Sequence, residues 1–188
     1  MGAESLARDS GTDPDPIVAL ISAGDFRAAV ARCARDHGPA LGRLCMGFLG
    51  SQADAEEAAQ ESLIAAFDAM ASYRGEGSFR AWLFAIARRV CARRVETRVR
   101  REARLRLVRG DETDAPGADV LLATRRRAER VRVALDELKP TERDAVVLRY
   151  ESELSFRDVA IACGIDEPAA RKRVSRALER LRESLGDE

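Results

Sequence analysis

The spacing of apolar residues along the chain is helical throughout, and no stretch alternates between apolar and polar residues as a half-buried strand does. Gly and Pro divide this pattern into separate helices, and Asp25 stands where an N-cap is expected. Gly38-Pro39 is expected to end one helix and allow another to start. The helices predicted in the first half are residues 25–36, a helix after Pro39 that ends near residue 49, and residues 53–71.

A long helix is predicted to begin at Ser78, after a loop over residues 73–78 that contains two glycines. Ser78 is its expected N-cap. One apolar stripe runs along it at i, i+3, i+4, i+7 and i+11, through Phe79, Trp82, Leu83, Ile86 and Val90. Trp82 lies within the stripe, so we expect it to support the loop rather than to stack on a ligand.

The segment 110–117 is acidic and rich in turn residues, and it lacks apolar anchors, so it is predicted to be a linker. The pattern therefore predicts an all-α protein of two small helical domains joined by a short linker. The expected divisions are a disordered tail over residues 1–16, a first domain over 17–108, a linker over 109–118 and a second domain over 119–188. Helices in the second domain are expected over residues 119–138, 141–150, 155–163 and 166–185.

The strongest local signal is a helix-turn-helix at the end of the chain. Ser155 caps its first helix, Gly164 supplies the positive φ of the turn, and Asp166 caps the second helix. Small and aliphatic residues form the inner stripe of that second helix. Its outer face carries Arg171, Lys172, Ser175 and Arg176. A solvated basic face is the simpler reading of such a helix, but the compact turn and the one-sided charge favour entry into a DNA major groove.

The charge of the chain is polarised although its formal net value is zero. Residues 1–72 carry a net charge of −6, and residues 73–110 carry +9. Nearly all of the positive charge is arginine, which makes bidentate contacts with phosphates and guanine. The distribution therefore favours a nucleic-acid partner that the net charge alone does not indicate.

Two further helices carry charge on one face. The helix over residues 53–71 has an acidic stripe, which repels DNA and therefore faces either solvent or a protein partner. The helix that begins at Ser78 combines basic side chains with nearby aromatic rings, a composition that suits single-stranded or distorted DNA. The acidic stripe and its neighbour are Asp54, Glu57, Gln60 and Glu61, and the basic and loop residues are Tyr73, Arg74, Ser78, Arg80, Arg88, Arg89 and Arg93.

Several function classes lack support in the sequence. No apolar run approaches the ~18 residues that a membrane span needs, and the polar, acidic start does not resemble a signal peptide, so we expect a cytoplasmic protein without membrane insertion. The four cysteines are scattered, and Cys33 with His37 is better explained by core packing than by a metal site. No catalytic residues are recognised, and we expect no enzyme activity, cofactor or metal.

Taken together, these stretches resemble the extracytoplasmic-function (ECF) group of bacterial RNA polymerase σ factors. Residues 54–61 look like that family's D-A-E-D-x-x-Q-E signature, and residues 79–88 are similar to its F-x-x-W-L-x-x-I-A-R stretch. Residues 135–143 and the helix-turn-helix resemble its −35-reading domain. Arg89 and Arg93 stand where the family usually has Asn and Asp, and Ala169 stands where it usually has Thr.

The resemblance implies an alternative σ factor whose partners are the RNA polymerase core, through the β′ clamp helices and the β flap, promoter DNA and commonly an anti-σ factor. Residues 17–108 would form a σ2-like domain that docks on core through Asp54, Glu57, Gln60 and Glu61. Its loop and basic helix would open the −10 element with Tyr73, Arg74, Ser78, Arg80, Arg88, Arg89 and Arg93. Residues 119–188 would form a σ4-like domain that reads the −35 element with Arg171, Lys172, Ser175 and Arg176.

Two other functions stay open at this point. The same helix-turn-helix suits a free-standing transcription regulator that does not depend on polymerase core. A protein-interaction module would use both charged faces for protein partners. The acidic helix separates the first alternative from a σ factor, since only a σ factor needs it for core binding.

Overall fold

The computed structural model describes residues 15–109 and 122–186, and all regular secondary structure within them is helical. The predicted tail before residue 15 and most of the predicted linker lie outside these residues, so the predicted domain boundaries stay predictions. The helices are α1 (Pro16–Ser22), α2 (Phe26–Leu49), α3 (Gln52–Ala69), α4 (Phe79–Arg109), α5 (Leu122–Glu137), α6 (Pro140–Tyr150), α7 (Phe156–Cys163) and α8 (Glu167–Leu185), with a 3-10 turn (Met70–Ser72) after α3.

The prediction of a break at Gly38-Pro39 is wrong, because α2 continues through Pro39 to Leu49. A proline inside a helix costs about 3 kcal/mol through its missing N–H and its ring. Burial on both sides of Pro39 opposes this cost, since Cys33, Leu41 and Leu44 are all fully buried. Each buried leucine contributes roughly 1.5–3 kcal/mol, so the packed face of α2 decides the conformation.

The predicted N-caps are confirmed. Each cap side chain accepts a hydrogen bond, at 2.7–3.1 Å, from the backbone N–H three residues further along the chain. These bonds satisfy donors that the first turn of a helix leaves free, each contributing about 1 kcal/mol. They fix where α2, α4, α7 and α8 begin. The capping residues are Asp25, Ser78, Ser155 and Asp166.

The first half of the molecule packs α1, α2 and α3 around the start of α4. The predicted stripe of α4 is confirmed, since Phe79, Leu83, Ile86 and Val90 are buried. Trp82, on α4, is half-buried. The centre of its ring lies 5.2 Å from that of Tyr73, in the loop, and 5.3 Å from that of Phe79. It therefore supports the loop, as predicted.

The second half is built on α6, α7 and α8, with α5 against α8. Gly164 ends α7 with φ +67°, as the predicted turn requires. Ala170, Val174 and Ala177 are the buried inner stripe of α8. Their small size lets α7 and α8 cross closely.

The two halves are in direct contact, with α4 against α7 and α2 against α6. Two glycines lie at this contact. A Cβ added at Gly47 would lie 3.1 Å from Cγ1 of Val147, and one added at Gly77 would lie 2.5 Å from Cδ1 of Ile161. Within the described residues, no helix is long and apolar enough to span a membrane.

Candidate nucleic-acid interface

The outer face of α8 is open to solvent. Asp166 caps the helix and the buried stripe turns one side inward, so the opposite side must face outward. Every predicted reading residue on that side is exposed. They are Arg171, Lys172, Ser175 and Arg176.

Arg171 is held in place by residues that sequence reasoning missed. Its guanidinium carbon lies 4.4 Å from the centre of the Phe156 ring, and Nη2 donates to Oε1 of Glu167 at 2.5 Å. Arg149 contacts the same ring, at 4.9 Å. A guanidinium beside an aromatic ring gains about 0.5–1 kcal/mol at an exposed site. Phe156 is fifteen positions before Arg171, and helical periodicity does not pair residues so far apart.

The acidic residues of α3 lie beside the basic helix α4. Arg94 donates to Glu57 at 3.1 Å and to Glu61 at 3.0 Å, and Arg93 reaches Glu61 at 3.3 Å. The hydrogen bond with Glu57 contributes most to raising the pKa of Arg94. Gln60 is exposed and Asp54 is half-buried. Exposed pairs of this kind contribute at most about 1 kcal/mol, so a partner can displace them.

The same face of α3 carries exposed apolar side chains that the sequence reading left out. The side chains of Ile64 and Phe67 are 63% and 40% exposed. Residues 60, 64 and 67 follow one another at helical spacing, so both lie beside Gln60. A large apolar side chain left in water next to polar residues is typical of a protein-binding surface. The signal in the sequence is an isoleucine and a phenylalanine on the polar side of an otherwise alanine-rich helix.

The loop after α3 borders a cavity of about 290 Å³. Tyr73 is half-buried, and its hydroxyl donates to the carbonyl of Gly77 at 3.4 Å. Arg74 is exposed at the rim. The wall is partly aromatic and aliphatic, with Val18, Ile21, Phe26, Met70 and Tyr73 among its residues.

The remaining predicted −10 residues are not grouped on an open surface. Ser78, Arg80 and Arg88 make hydrogen bonds to the second half of the molecule. Arg93 pairs with Glu61, whereas Arg89 is exposed. The structure thus brings part of the predicted set against α6 and α7, a placement that the sequence reading did not foresee.

Cys33 and His37 pack inside the first half. Cys33 is fully buried, and burial raises the pKa of its thiol to about 12. Burial, with a smaller contribution from Arg80, lowers the pKa of His37, whose ring lies 6.2 Å from that of Phe79. Residues 15–109 and 122–186 contain no group of three side chains that could hold a metal ion.

Two family models match the chain, Sigma-70 region 2 over residues 33–104 and Sigma-70, region 4 over residues 128–181. The ECF σ factor SigC of Mycobacterium tuberculosis is 31% identical over 142 residues, which is 72% of each chain. SigE of Mycolicibacterium smegmatis, another ECF σ factor, is 29% identical over 157 residues and 80% of this chain. This chain spans 59% of the length of SigE.

A similar arrangement of helices occurs in a solved structure of the σ factor RpoE bound to the anti-σ factor NepR, from Bartonella quintana. The TM-score is 0.61 at 26% identity, and the match covers 87% of this chain and 98% of RpoE. The region 2 match covers the acidic helix α3 and most of the basic helix α4, and the region 4 match covers α7 and most of α8. The two regions therefore occur in the order that the sequence predicts. The chain therefore belongs to the extracytoplasmic-function group of the σ-70 family.

Proposed function

We propose that this σ factor holds polymerase core with α3, reads the −35 element with α8, and captures the opened −10 element with the loop 72–78 and α4. The observation that carries the proposal is the separation of these surfaces. An acidic face with exposed apolar residues on α3, an exposed basic face on α8 and a partly aromatic cavity beside the loop after α3 are formed by different sets of residues. Each has the chemistry of a different partner.

The core-binding surface is proposed to centre on Asp54, Glu57, Gln60 and Glu61, with the β′ clamp helices as their partner. Ile64 and Phe67 extend this surface, because burying them against core removes exposed apolar area from water. The ion pairs with Arg93 and Arg94 keep the carboxylates ordered until core arrives. The β flap is the proposed second contact on core, through the C-terminal half.

The −35 surface is proposed to be Arg171, Lys172, Ser175 and Arg176. A recognition helix places its first turns in the major groove, and these residues lie in the first half of α8. Phe156 and Glu167 restrict the motion of Arg171 before DNA arrives, which lowers the entropy lost on binding.

The −10 surface is proposed to use the cavity beside Tyr73 for an unstacked base and the arginines of α4 for phosphates. Stacking on aromatic side chains contributes about 1–3 kcal/mol per base in single-strand binding. Tyr73 and Phe26 at the cavity wall supply such rings. Arg80, Arg88 and Arg89 lie along the helix that follows.

We further propose that the protein works in the cytoplasm, makes and breaks no bond itself, and needs no cofactor, since polymerase carries out the chemistry. An anti-σ factor is a proposed partner, because the structural relative RpoE is bound by one. A regulator that works without core is the less favoured alternative, because the acidic face of α3 would then have no partner.

Core binding is tested by Asp54→Arg/Glu61→Arg. We expect co-purification with core polymerase to be lost, because the face then repels the same partner it attracted. Asp36→Arg/Glu183→Arg is the matched control, since it makes the same charge change at exposed positions away from α3. Unchanged core binding by the first variant would rule out the α3 assignment.

Promoter reading is tested by Arg171→Ala/Arg176→Ala in holoenzyme, on fragmented genomic DNA transcribed in vitro. Each bidentate base contact contributes about 1–3 kcal/mol, so we expect transcripts to fall at least tenfold. Arg27→Ala/Arg35→Ala is the control, because it removes two exposed arginines from α2. Normal transcripts from the α8 variant would contradict the −35 assignment.

A further inference from the structure

Two neighbouring arginines of α4 reach the acidic face of α3. The inner stripe of α3 consists of small side chains, so α2 and α4 pack closely against it. Arg93 and Arg94 on α4 therefore contact carboxylates at the edge of the outer face of α3. The buried residues of the inner stripe are Ala55, Ala58, Ser62 and Ala66.

Arg94 bonds two carboxylates at once. Nε donates to Oε2 of Glu61 at 3.0 Å, and Nη1 donates to Oε2 of Glu57 at 3.1 Å. Glu57 and Glu61 are one helical turn apart on α3, where two like charges destabilise a helix. The donors of a guanidinium have a fixed planar geometry, so one arginine both offsets this repulsion and sets the separation of the two groups.

The place of Arg94 on α4 anchors it. Val90 and Cys91 are buried, and Arg94 follows them at the i+4 and i+3 positions of the same stripe. Its side chain is only 30% exposed, so its stem is covered by protein while its head bonds the carboxylates. Glu57 is exposed and Glu61 is half-buried, so a partner can still contact both.

Arg93 contacts the same face more loosely. Nη2 donates to Oε1 of Glu61 at 3.3 Å, and the side chain is 67% exposed. Both oxygens of Glu61 thus accept a bond from α4, one from each arginine. Arg94 already orders Glu61, so the main effect of Arg93 is its charge. An exposed pair of this kind is weak, and a basic partner that approaches Glu61 can displace Arg93.

The charges of the two arginines change the face that a partner meets. Asp54, Glu57 and Glu61 carry three negative charges, and Arg93 and Arg94 bring two positive charges to the same place. An aspartate at position 93, the usual residue of the family, would make the face more negative by two charges. A partner that recognises this face with basic groups is therefore attracted less strongly while Arg93 is present.

We propose that Arg94 is a positioning residue of the core-binding surface, and that Arg93 is a displaceable counter-ion that lowers the affinity of this surface for core polymerase. The inference rests on the proposed core-binding role of α3. It moves Arg93 from the −10 surface, where the sequence places it, to the surface on α3. The two neighbouring arginines then act on core binding in opposite directions.

The test is the Kd of the full-length chain, labelled with fluorescein at its N-terminus, for core polymerase without DNA, measured by anisotropy at several salt concentrations. Arg94→Lys keeps the charge, but one ammonium group cannot replace the guanidinium geometry that joins both carboxylates. Arg93→Gln removes the charge of the counter-ion. Arg100→Lys and Arg100→Gln are the matched controls, because Arg100 is an exposed arginine of α4 that pairs with Glu96 of its own helix.

We expect Arg94→Lys to weaken core binding about fivefold and Arg93→Gln to tighten it about threefold, the range of exposed ion pairs. The salt dependence should stay the same for Arg94→Lys and become steeper for Arg93→Gln, because only the second variant changes the charge. The controls should change by less than about twofold. Equal Kd values for Arg94→Lys and Arg100→Lys would overturn the positioning role. An Arg93→Gln variant that binds core no more tightly would overturn the counter-ion.

A double-mutant cycle separates positioning from stability. Glu57→Gln is measured in the natural chain and in the Arg94→Lys chain. If Arg94 positions Glu57 for core, Glu57→Gln should weaken core binding about threefold less in the second background. A role of Arg94 in stability alone would lower the melting temperature and leave the two losses equal, which would overturn the proposal.

The same assay distinguishes this inference from the proposed function. If Asp54→Arg/Glu61→Arg leaves the Kd for core unchanged, the core-binding role of α3 is wrong and the inference is wrong with it. If that variant abolishes core binding while Arg94→Lys and Arg93→Gln have no effect, only the inference is wrong.

Discussion

The two surfaces that are proposed to bind DNA differ in how far they are exposed to solvent. The proposed −35 surface on α8 is exposed, and Arg171 is ordered by contacts within its own half. The proposed −10 surface is partly covered, because Arg88 on α4 is ordered by contacts with the other half. Both arginines are preorganised, but only the first is accessible. Of the two surfaces proposed to bind DNA, only the one on α8 is therefore open to solvent along its whole set of proposed residues.

The largest expected effect on the contact between the two halves comes from replacing Arg143. Arg143 is 9% exposed, bonds the carbonyl of Phe48, and pairs with Asp136 at 2.5 Å. Arg143→Met removes the bond to Phe48 and the pair with Asp136, which keeps its ion pair with Arg132. Leaving the buried carbonyl of Phe48 without this donor costs about 1–3 kcal/mol. We expect a lower melting temperature by calorimetry and a larger radius of gyration. Arg27→Met, at an exposed position, is the control. An unchanged radius would show that α6 does not hold the halves together.

Ile161→Ala is expected to weaken the contact between the two halves to a smaller extent, and it does not change the charge of the protein. The side chain covers Gly77, and its loss removes about 1 kcal/mol of apolar contact from the interface. This corresponds to about fivefold tighter binding of single-stranded DNA, with no added positive charge to explain it. Ile64→Ala is the matched control, because it truncates an isoleucine on α3. Equal changes in both variants would count against closure at Gly77.

Local sequence patterns predict the helix caps and the exposed faces of this fold but not the contacts between distant helices. The caps at Ser78 and Asp166 and the outward face of α8 depend on residues three or four positions apart, so local patterns are sufficient to find them. The continuity of α2 through Pro39 depends on its burial by other helices. The pairing of Arg88 with Asp144 joins residues 56 positions apart, and no periodicity encodes it.

The proposed −35 surface on α8 is tested at Phe156. Phe156→Leu removes the ring beside Arg171 and should weaken binding of a holoenzyme-selected promoter fragment about fivefold, the equivalent of about 1 kcal/mol. Phe156→Tyr keeps the ring and should restore affinity. Binding of single-stranded DNA should not change in either variant. A tyrosine variant as weak as the leucine variant would argue against positioning by the ring.

The smallest expected effect is a difference in acid sensitivity between the halves. Burial lowers the pKa of His37 in the folded state, so its contribution to stability is present at neutral pH. That contribution is lost as the pH falls below the ordinary value of 6.5 and through the lowered pKa. The chain has a single histidine, so only the first half carries this group. Amide exchange at pH 7 and pH 5.5 should show α2 loosening more than α8. His37→Gln should remove the difference.

Gly77 and Gly75 have similar backbones but different surroundings. Both have positive φ, at +94° and +72°, yet a side chain at Gly75 would meet open space and one at Gly77 would meet Ile161. In a genetic selection for excess transcription from the target promoter, substitutions at position 77 should therefore recur, whereas those at position 75 should be rare. A glycine that looks like an ordinary loop residue would then be a point where mutation makes the σ factor constitutively active.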